Sequence, residues 1–279
     1  MTNVTTRLLM LNGALVPVTD AVVPAVDRGF TQGLGLYETI KLIDGLPVFF
    51  DEHVLRLDRG IEALGLERPF NAEGLAGQIV ELAKANGVTE AACRLLVTAG
   101  PPDAAPTLLI QNDTRAFPAR PLSVITYRGV RVSAEFKAMT VMQSFLALKA
   151  AAAAGVDDAI LVDGEGRIFE GATSNVFVVR RGGLVTAPAE GDILPGVTRA
   201  KLESIAGEAG IPVIEAWVRV ADLRPDDGML LTSSVRGVVP VSRVNALKLH
   251  PSDGLVRRLR ELVEEAEAVS VEAFRAAYL

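Results

Sequence analysis

Two features that lie close together in the sequence have the residue types for binding a charged cofactor. Glu170 follows a short apolar run, which is the setting of a buried carboxylate. Leu194–Arg199 reads LPGVTR, in which Gly196 lets the backbone approach a ligand closely. The amides of Val197 and Thr198 would begin a helix, where they lack intrahelical partners and can bind an anion. Together these features suggest a phosphorylated ring cofactor, although the pattern also fits an ordinary strand, hairpin and helix with Thr198 as a simple cap.

An aldehyde cofactor needs an amine, and the chain has six lysines. The amine of such a lysine should be desolvated, so that a useful neutral fraction exists. Lys84, Lys149 and Lys201 lie on predicted helices among charged or alanine-rich neighbours and are expected to be solvated. Lys137 lies between a predicted strand and a long apolar helix. This position is compatible with a buried edge, although such a pattern alone more often indicates a surface lysine.

Composition excludes several classes of protein. With 279 residues, 49% of them hydrophobic, the chain is long enough for one or two globular domains with buried cores. A net charge of −6 and the lack of a basic patch with aromatics argue against nucleic-acid binding. The single cysteine, Cys93, excludes an intrachain disulfide and a thiolate metal cluster. With only two histidines, His53 and His250, we expect no histidine-centred triad and no metal site.

The expected location is cytoplasmic. The N-terminal residues MTNVTTRLLMLNG lack the shape of a signal peptide, and no apolar run has the length needed to span a membrane. The cysteine content also fits a reducing compartment. We therefore expect no membrane partner.

Turn and helix signals outline the elements. Asn12-Gly13 and Asp44-Gly45 each separate two apolar runs and predict β-hairpins. Apolar residues at intervals of three and four predict a helix that Asp51 can cap. The patterns also predict a strand over 130–133 and an amphipathic helix over 253–268. Residues 116–122 contain two prolines and little apolar periodicity, and are the expected interdomain linker.

Short motifs follow one another from residue 12 to about residue 245. In the first half they are Asn12-Gly13, Asp27–Phe30 (DRGF), Gly33–Glu38 (GLGLYE) and His53–Leu57 (HVLRL). In the second half they are Gly155–Ile160 (GVDDAI), Glu170–Phe177 (EGATSNVF) and Leu194–Arg199 (LPGVTR). Each motif alone is weak. In this order they resemble the class IV, fold type IV enzymes that use pyridoxal 5′-phosphate (PLP), which include branched-chain and D-amino-acid aminotransferases and aminodeoxychorismate lyase.

The resemblance implies an α/β fold of two parts. These are a small N-terminal α+β domain over 1–115 and a larger, barrel-like, PLP-binding α/β domain over 123–279, joined by the linker at 116–122. It also implies a homodimer, because enzymes of this family are homodimers or larger.

The resemblance assigns roles to individual residues. Lys137 matches the lysine that binds PLP covalently and moves protons. Glu170 matches the carboxylate that pairs with the ring nitrogen, and keeping that nitrogen protonated lets the ring accept electrons. Arg56 matches an arginine that binds the cofactor phosphate, for which its planar fork is suited. The remaining phosphate ligands match the backbone at Val197 and Thr198 and a second loop at Ser234 and Val235.

The substrate side departs from the family patterns. D-amino-acid aminotransferases hold the substrate carboxylate with an arginine in a Thr-Arg-Gly turn, where this chain has Ala99. Arg94, on the same predicted strand, is the expected replacement. Arg236, in a Ser-Val-Arg-Gly sequence similar to that of the lyases, is a further candidate for an acidic substrate. Tyr37 and Arg28 are pocket candidates, for which simple packing and a structural ion pair are the alternatives.

The function implied is PLP-dependent amino transfer between an amino acid and a 2-oxo acid. Aminodeoxychorismate lyase, which releases 4-aminobenzoate and pyruvate, is the rival. It is favoured by the Ser-Val-Arg-Gly loop, by Ala99 and by Met142, which stands where branched-chain enzymes place a tyrosine. A PLP-binding protein without catalysis is a third possibility, and it would not need Lys137.

Overall fold

The computed structural model describes residues 8–114, 120–189, 193–250 and 253–279. Its chain divides into two units, each discontinuous in sequence. The first holds the described residues within 1–116 together with Phe136–Thr140 and Glu267–Leu279, and the second holds those within 117–135 together with Val141–Ala266. Residues 116–119 of the expected linker lie outside the described ranges, and Leu122 begins a strand. The domain bounds expected from the sequence remain a prediction.

The first unit is built on an antiparallel sheet of six strands in the order β2-β1-β6-β5-β3-β4. Its strands and helices are β1 (Leu8–Leu11), β2 (Ala14–Pro17), α1 (Arg28–Gln32), β3 (Gly35–Ile43), β4 (Leu46–Pro47), α2 (Phe50–Ala63), α3 (Ala72–Ala85), β5 (Ala91–Thr98) and β6 (Leu108–Asp113). Helices α2 and α3 pack on this sheet. Both predicted hairpins are confirmed, because Asn12 and Asp44 and the glycines after them have the positive φ that such turns require.

One face of β3 is buried and the other is partly exposed. Leu36, Ile40 and Leu42 are fully buried, as alternation along a half-buried strand demands. The predicted cap of α2 is wrong, since the helix begins at Phe50 and Asp51 lies in its first turn. There its negative charge interacts favourably with the helix dipole.

The second unit is built on a mixed sheet of nine strands. Eight follow the order β12-β11-β10-β13-β14-β7-β8-β9, and β15 pairs with β14. The elements are β7 (Leu122–Arg128), α4 (Met142–Ala153), β8 (Asp158–Val162), β9 (Ile168–Gly171), β10 (Asn175–Arg180), β11 (Gly183–Thr186), α5 (Val197–Glu208), β12 (Val213–Glu215), β13 (Gly228–Ser233), β14 (Gly237–Val244), β15 (Leu247–Lys248) and α6 (Asp253–Tyr278), whose last residues belong to the first unit.

This sheet curls into a half-barrel. Strand β9, at one end of the order, lies against β10 near the other end. Buried residues from six strands therefore meet in one inner cluster, to which β10 contributes Val176 and Val178. The alternate β10 residues Phe177 and Val179 face outward and pack under α5 and α6, while α4 covers Ala159 and Leu161 of β8.

Two predicted elements differ in the structure. The strand expected over 130–133 is absent from this described segment, which is a turn in which Ser133 has a φ of +52°. Helix α6 extends ten residues beyond 268, because Phe274 and Tyr278 pack against Phe50 with ring centroids 5.2 and 5.1 Å away. No helix in the described ranges combines the length and apolarity needed to cross a membrane.

Candidate active site

Lys137 lies on a short segment that is hydrogen-bonded to strand β3 in the first unit. The Tyr37 amide donates to the Lys137 carbonyl at 2.9 Å, and the Met139 amide donates to the Gly35 carbonyl at 3.0 Å. This approach explains a glycine of the sequence motif. A Cβ on Gly35 would lie 2.5 Å from the Val97 carbonyl oxygen and 2.7 Å from the Met139 sulfur. Main-chain hydrogen bonds on both sides therefore fix the backbone that carries Lys137.

The Lys137 side chain lies against Tyr37. Its Nζ is 4.4 Å from the centroid of the tyrosine ring, and the Arg94 guanidinium carbon is 5.0 Å from the same centroid. Both distances fit cation–π contacts. Within the described ranges no carboxylate pairs with Arg94. The first unit thus brings together Lys137, Tyr37 and Arg94, which are three of the residues predicted from the sequence.

Arg56 takes part in a buried cluster with Glu38 and His53. Its Nε and Nη2 donate to the two oxygens of Glu38 at 2.7 and 2.6 Å, and His53 Nδ1 lies 2.7 Å from Glu38 Oε2. Glu38 and His53 are each 1% exposed. The bidentate geometry holds the guanidinium in one orientation. Contact of Arg56 with a cofactor phosphate remains a prediction.

The charges in this cluster set its protonation. Burial alone would raise the pKa of Glu38, but Arg56 and His53 outweigh it and lower that pKa far below its usual range. Burial lowers the pKa of His53, and Glu38 opposes this only in part. The cluster at neutral pH is therefore a carboxylate, a guanidinium and a neutral imidazole that donates through Nδ1. Glu38 was missed as a site residue, although an acidic residue at a core position of β3 was a usable signal.

Arg28 is held by backbone carbonyls. Its Nε donates to Gly100 O at 3.1 Å, and its Nη2 donates to Ala99 O. Asp27 beside it is fully buried and accepts from the hydroxyls of Thr98 and Thr107 at 2.8 and 2.7 Å. The DRGF motif therefore ties α1 to the turn after β5. A contact of Arg28 with substrate remains a prediction.

In the second unit, Glu170 lies buried at the end of β9. Its Oε2 accepts from the Leu194 amide at 3.2 Å, and its Oε1 is 3.1 Å from Arg131 Nε without the alignment of a hydrogen bond. Arg131 Nη2 also reaches the Ala172 carbonyl at 3.4 Å. A cation at this distance favours the ionised carboxylate. Arg131 was missed because it lies in a turn far from Glu170 in sequence.

The start of α5 has the features of an anion site. Gly196 is the N-cap, and no side chain caps the helix, so the alternative in which Thr198 is a simple cap is wrong. A Cβ on Gly196 would lie 2.0 Å from Asn175 Oδ1. Opposite Asn175 on β13 is Thr232, whose buried Oγ1 has no hydrogen-bond partner within the described ranges. Helix amides and an unpaired buried hydroxyl are groups that a phosphate can satisfy.

Ser234, Val235 and Arg236 form the turn between β13 and β14. The turn closes at the pair Ser233–Gly237, where Gly237 has a φ of +62°. It lies at the same end of the sheet as the start of β10, since Asn175 pairs with Thr232 just before the turn. The second unit therefore gathers the other predicted residues at one end of its sheet, namely Glu170, Val197, Thr198, Ser234, Val235 and Arg236. Within the described ranges no group of acidic, histidine or cysteine side chains is placed to hold a metal ion.

A family model described as amino-transferase class IV matches residues 35–244. The chain belongs to the class IV aminotransferase family. One relative, from Methanocaldococcus jannaschii, carries the name "Putative branched-chain-amino-acid aminotransferase" and is 31% identical over 258 residues, which cover 85% of this chain and 88% of that protein. A D-alanine aminotransferase from Bacillus licheniformis is 28% identical over 251 residues, with coverage of 85% and 88%.

A solved structure from Legionella pneumophila, named "Putative 4-amino-4-deoxychorismate lyase", has a TM-score of 0.83 at 22% identity and covers 90% of this chain and 97% of its own. At that identity the likeness shows the fold alone. These comparisons confirm the predicted family and its fold type IV architecture, with an enzyme as the class of protein. Class IV aminotransferases depend on PLP. The anion site at the start of α5 fits the phosphate of that cofactor, and the carboxylate of Glu170 fits its ring nitrogen.

Proposed function

We propose that this protein is a PLP-dependent aminotransferase that transfers an amino group between an amino acid and a 2-oxo acid. The observation that carries the proposal is the placement of Lys137. Its amine lies on the ring of Tyr37, and Arg94, without a carboxylate partner in the described ranges, contacts the same ring. An amine beside an available guanidinium is what a reaction on a carboxylate-bearing amino acid needs.

PLP, when bound, supplies an aldehyde and an electron-accepting ring. In the proposed function Lys137 would hold the cofactor through Nζ and would move a proton to and from the substrate carbon. Glu170 would hold a proton on the ring nitrogen, and Arg131 Nε lies 3.1 Å from that carboxylate. The groups that bind the phosphate are the amides of Val197 and Thr198, the turn at Ser234 and Val235, and Arg56.

On the substrate side, Arg94 binds a substrate carboxylate and Tyr37 holds both Arg94 and Lys137 in place. Arg28 supports the turn at Ala99 and Gly100, to which it is hydrogen-bonded. Arg236 remains a predicted substrate residue.

Aminodeoxychorismate lyase is the second candidate function. The feature that favours it is the turn Ser234–Gly237, together with an alanine at position 99 in place of the arginine of D-amino-acid enzymes. Met142, at the start of α4, also fits the lyases better than the branched-chain enzymes. The two reactions share the same cofactor groups and differ in the substrate that reaches them.

Two experiments test these proposals. Purified protein is given amino donors that include both hands of alanine, glutamate and leucine, each with a 2-oxo acid acceptor. Release of 4-aminobenzoate from aminodeoxychorismate without turnover of any donor and acceptor pair would reject the aminotransferase.

Borohydride reduction followed by peptide mapping tests the cofactor lysine. We expect the phosphopyridoxyl group on Lys137 and its loss in K137A. K149A is the matched control, because Lys149 is exposed on α4. A label on Lys149, or on no lysine, contradicts the assignment and favours a protein without this catalysis.

A further inference from the structure

A buried ion pair crosses one end of the second-unit sheet. Arg236 Nη2 donates to Asp158 Oδ2 at 2.8 Å, and the two side chains are 12% and 1% exposed. Arg236 lies in the turn between β13 and β14, whereas Asp158 begins β8, and β7 separates β14 from β8 in the sheet. The pair therefore ties the turn to a strand with which neither β13 nor β14 is hydrogen-bonded.

Asp158 is a rigid anchor for this contact. Its second oxygen, Oδ1, accepts from the Ala159 amide at 2.8 Å, so that both carboxylate oxygens have donors. Arg236 Nη2 also lies 3.5 Å from Thr173 Oγ1, at the turn between β9 and β10. The guanidinium thus contacts the start of β8 and the turn between β9 and β10 from its own turn between β13 and β14. All three lie at the end of the sheet that also carries Glu170.

The turn that Arg236 belongs to is short and partly exposed. It is a three-residue connection closed by a glycine in the left-handed region, a geometry that by itself leaves the loop tip exposed. Ser234 and Val235 are partly exposed, and within the described ranges the Ser234 hydroxyl makes no hydrogen bond. The ion pair between Arg236 and Asp158 is therefore a buried side-chain contact that helps to hold this turn.

We infer that Asp158 is a positioning residue for the cofactor phosphate. Acting through Arg236, it fixes the turn so that the Ser234 hydroxyl and the Val235 amide are presented to the phosphate group. The inference rests on the proposed function, since it needs PLP as the ligand. It does not need Arg236 to touch the substrate.

The test compares two ligands that differ only in the phosphate. PLP and pyridoxal are titrated separately into the full-length apoprotein, and the visible absorbance of the lysine adduct gives each Kd. D158N keeps the shape of the side chain but removes its negative charge and leaves one acceptor oxygen for two donors, the Arg236 guanidinium and the Ala159 amide, which weakens the pair. Loss of a hydrogen bond to a charged phosphate predicts a Kd for PLP that rises about tenfold or more, whereas the Kd for pyridoxal stays within about twofold.

The matched control is D227N. Asp227 is also a buried aspartate of the second unit and pairs with Arg180 at 2.6 Å, but Arg180 ends β10 and lies at the opposite end of that strand from Asn175. We expect D227N to lower stability and leave both Kd values unchanged. If D158N does not yield folded protein, the Kd values for PLP and pyridoxal are measured in R236K instead. This variant keeps the charge but lacks the planar fork.

A selective loss of PLP affinity in D158N or R236K, absent from D227N, supports the inference. Equal losses for PLP and pyridoxal, unchanged affinity for PLP, or the same selective loss in D227N would overturn it. Failure of the unaltered protein to bind PLP is a different result, because it would reject the proposed function itself.

Discussion

Replacing Glu38 by glutamine should strongly destabilise the first unit. The carboxylate is 1% exposed, forms two hydrogen bonds with Arg56, and lies 2.7 Å from His53. Glutamine would place an amide donor against two other donors and leave the 10% exposed arginine without its counter-charge. Removing one partner of a buried ion pair costs about 3–5 kcal/mol. For a chain of this size that corresponds to a fall in Tm of roughly 6–20 °C.

The assay is thermal and urea unfolding of the apoprotein, so that cofactor affinity does not enter the result. E62Q is the control, since Glu62 is an exposed residue of α2, the helix that carries Arg56 and His53, and its loss changes the net charge equally. The double variant E38Q/R56Q should be less destabilised than the sum of its single variants, because it leaves no buried charge unpaired. A loss of stability in E38Q no greater than that in E62Q would refute the reasoning.

Four further predictions concern His53, Gly196, Arg94 and the oligomeric state. Burial lowers the pKa of His53, so the unfolded chain binds a proton at a higher pH than the folded chain does. The free energy of unfolding should therefore fall as pH drops below about 6.5, and urea unfolding of H53Q at several pH values should lack this contribution to the pH dependence. G196A should weaken PLP binding because its Cβ would strike Asn175, whereas G207A, in open space on the same helix, should bind PLP normally; equal affinity in both contradicts the anion site at the start of α5. R94M should raise the KM for the donor at least tenfold with a smaller change in kcat, and an unchanged KM would remove Arg94 from the substrate site. Sedimentation velocity should show a dimer, and a monomer at working concentration would contradict the expected homodimer.

Local signals in the sequence were sufficient where one residue determines the backbone. The turns at Asn12-Gly13 and Asp44-Gly45 were predictable because few residue pairs adopt positive φ twice in succession. The end of α6 was not predictable in this way. Val271 and Phe274 continue the apolar face beyond 268, but the reason the helix persists is its packing on Phe50, more than two hundred residues earlier.

Motif order predicts the residues of the candidate site but not their partners. Arg56 is predicted to bind the phosphate, but its pairing with Glu38 depends on how α2 packs on β3. Glu170 is a predicted cofactor residue, whereas its neighbour Arg131 lies in a segment that the sequence predicts as a strand. Side-chain pairs between separate elements are set by tertiary packing, which sequence periodicity does not encode.

The first unit is completed by two segments that come late in the sequence. The segment Phe136–Thr140 is hydrogen-bonded to β3. The end of α6 supplies Glu267 to Lys41, the Ser270 hydroxyl to the Phe49 amide, and aromatic rings to Phe50. Domains that are continuous in sequence can fold as soon as they emerge during synthesis. Because residues 267–279 complete the first unit, we expect a nascent chain stalled before residue 267 to remain open to proteolysis in its first hundred residues.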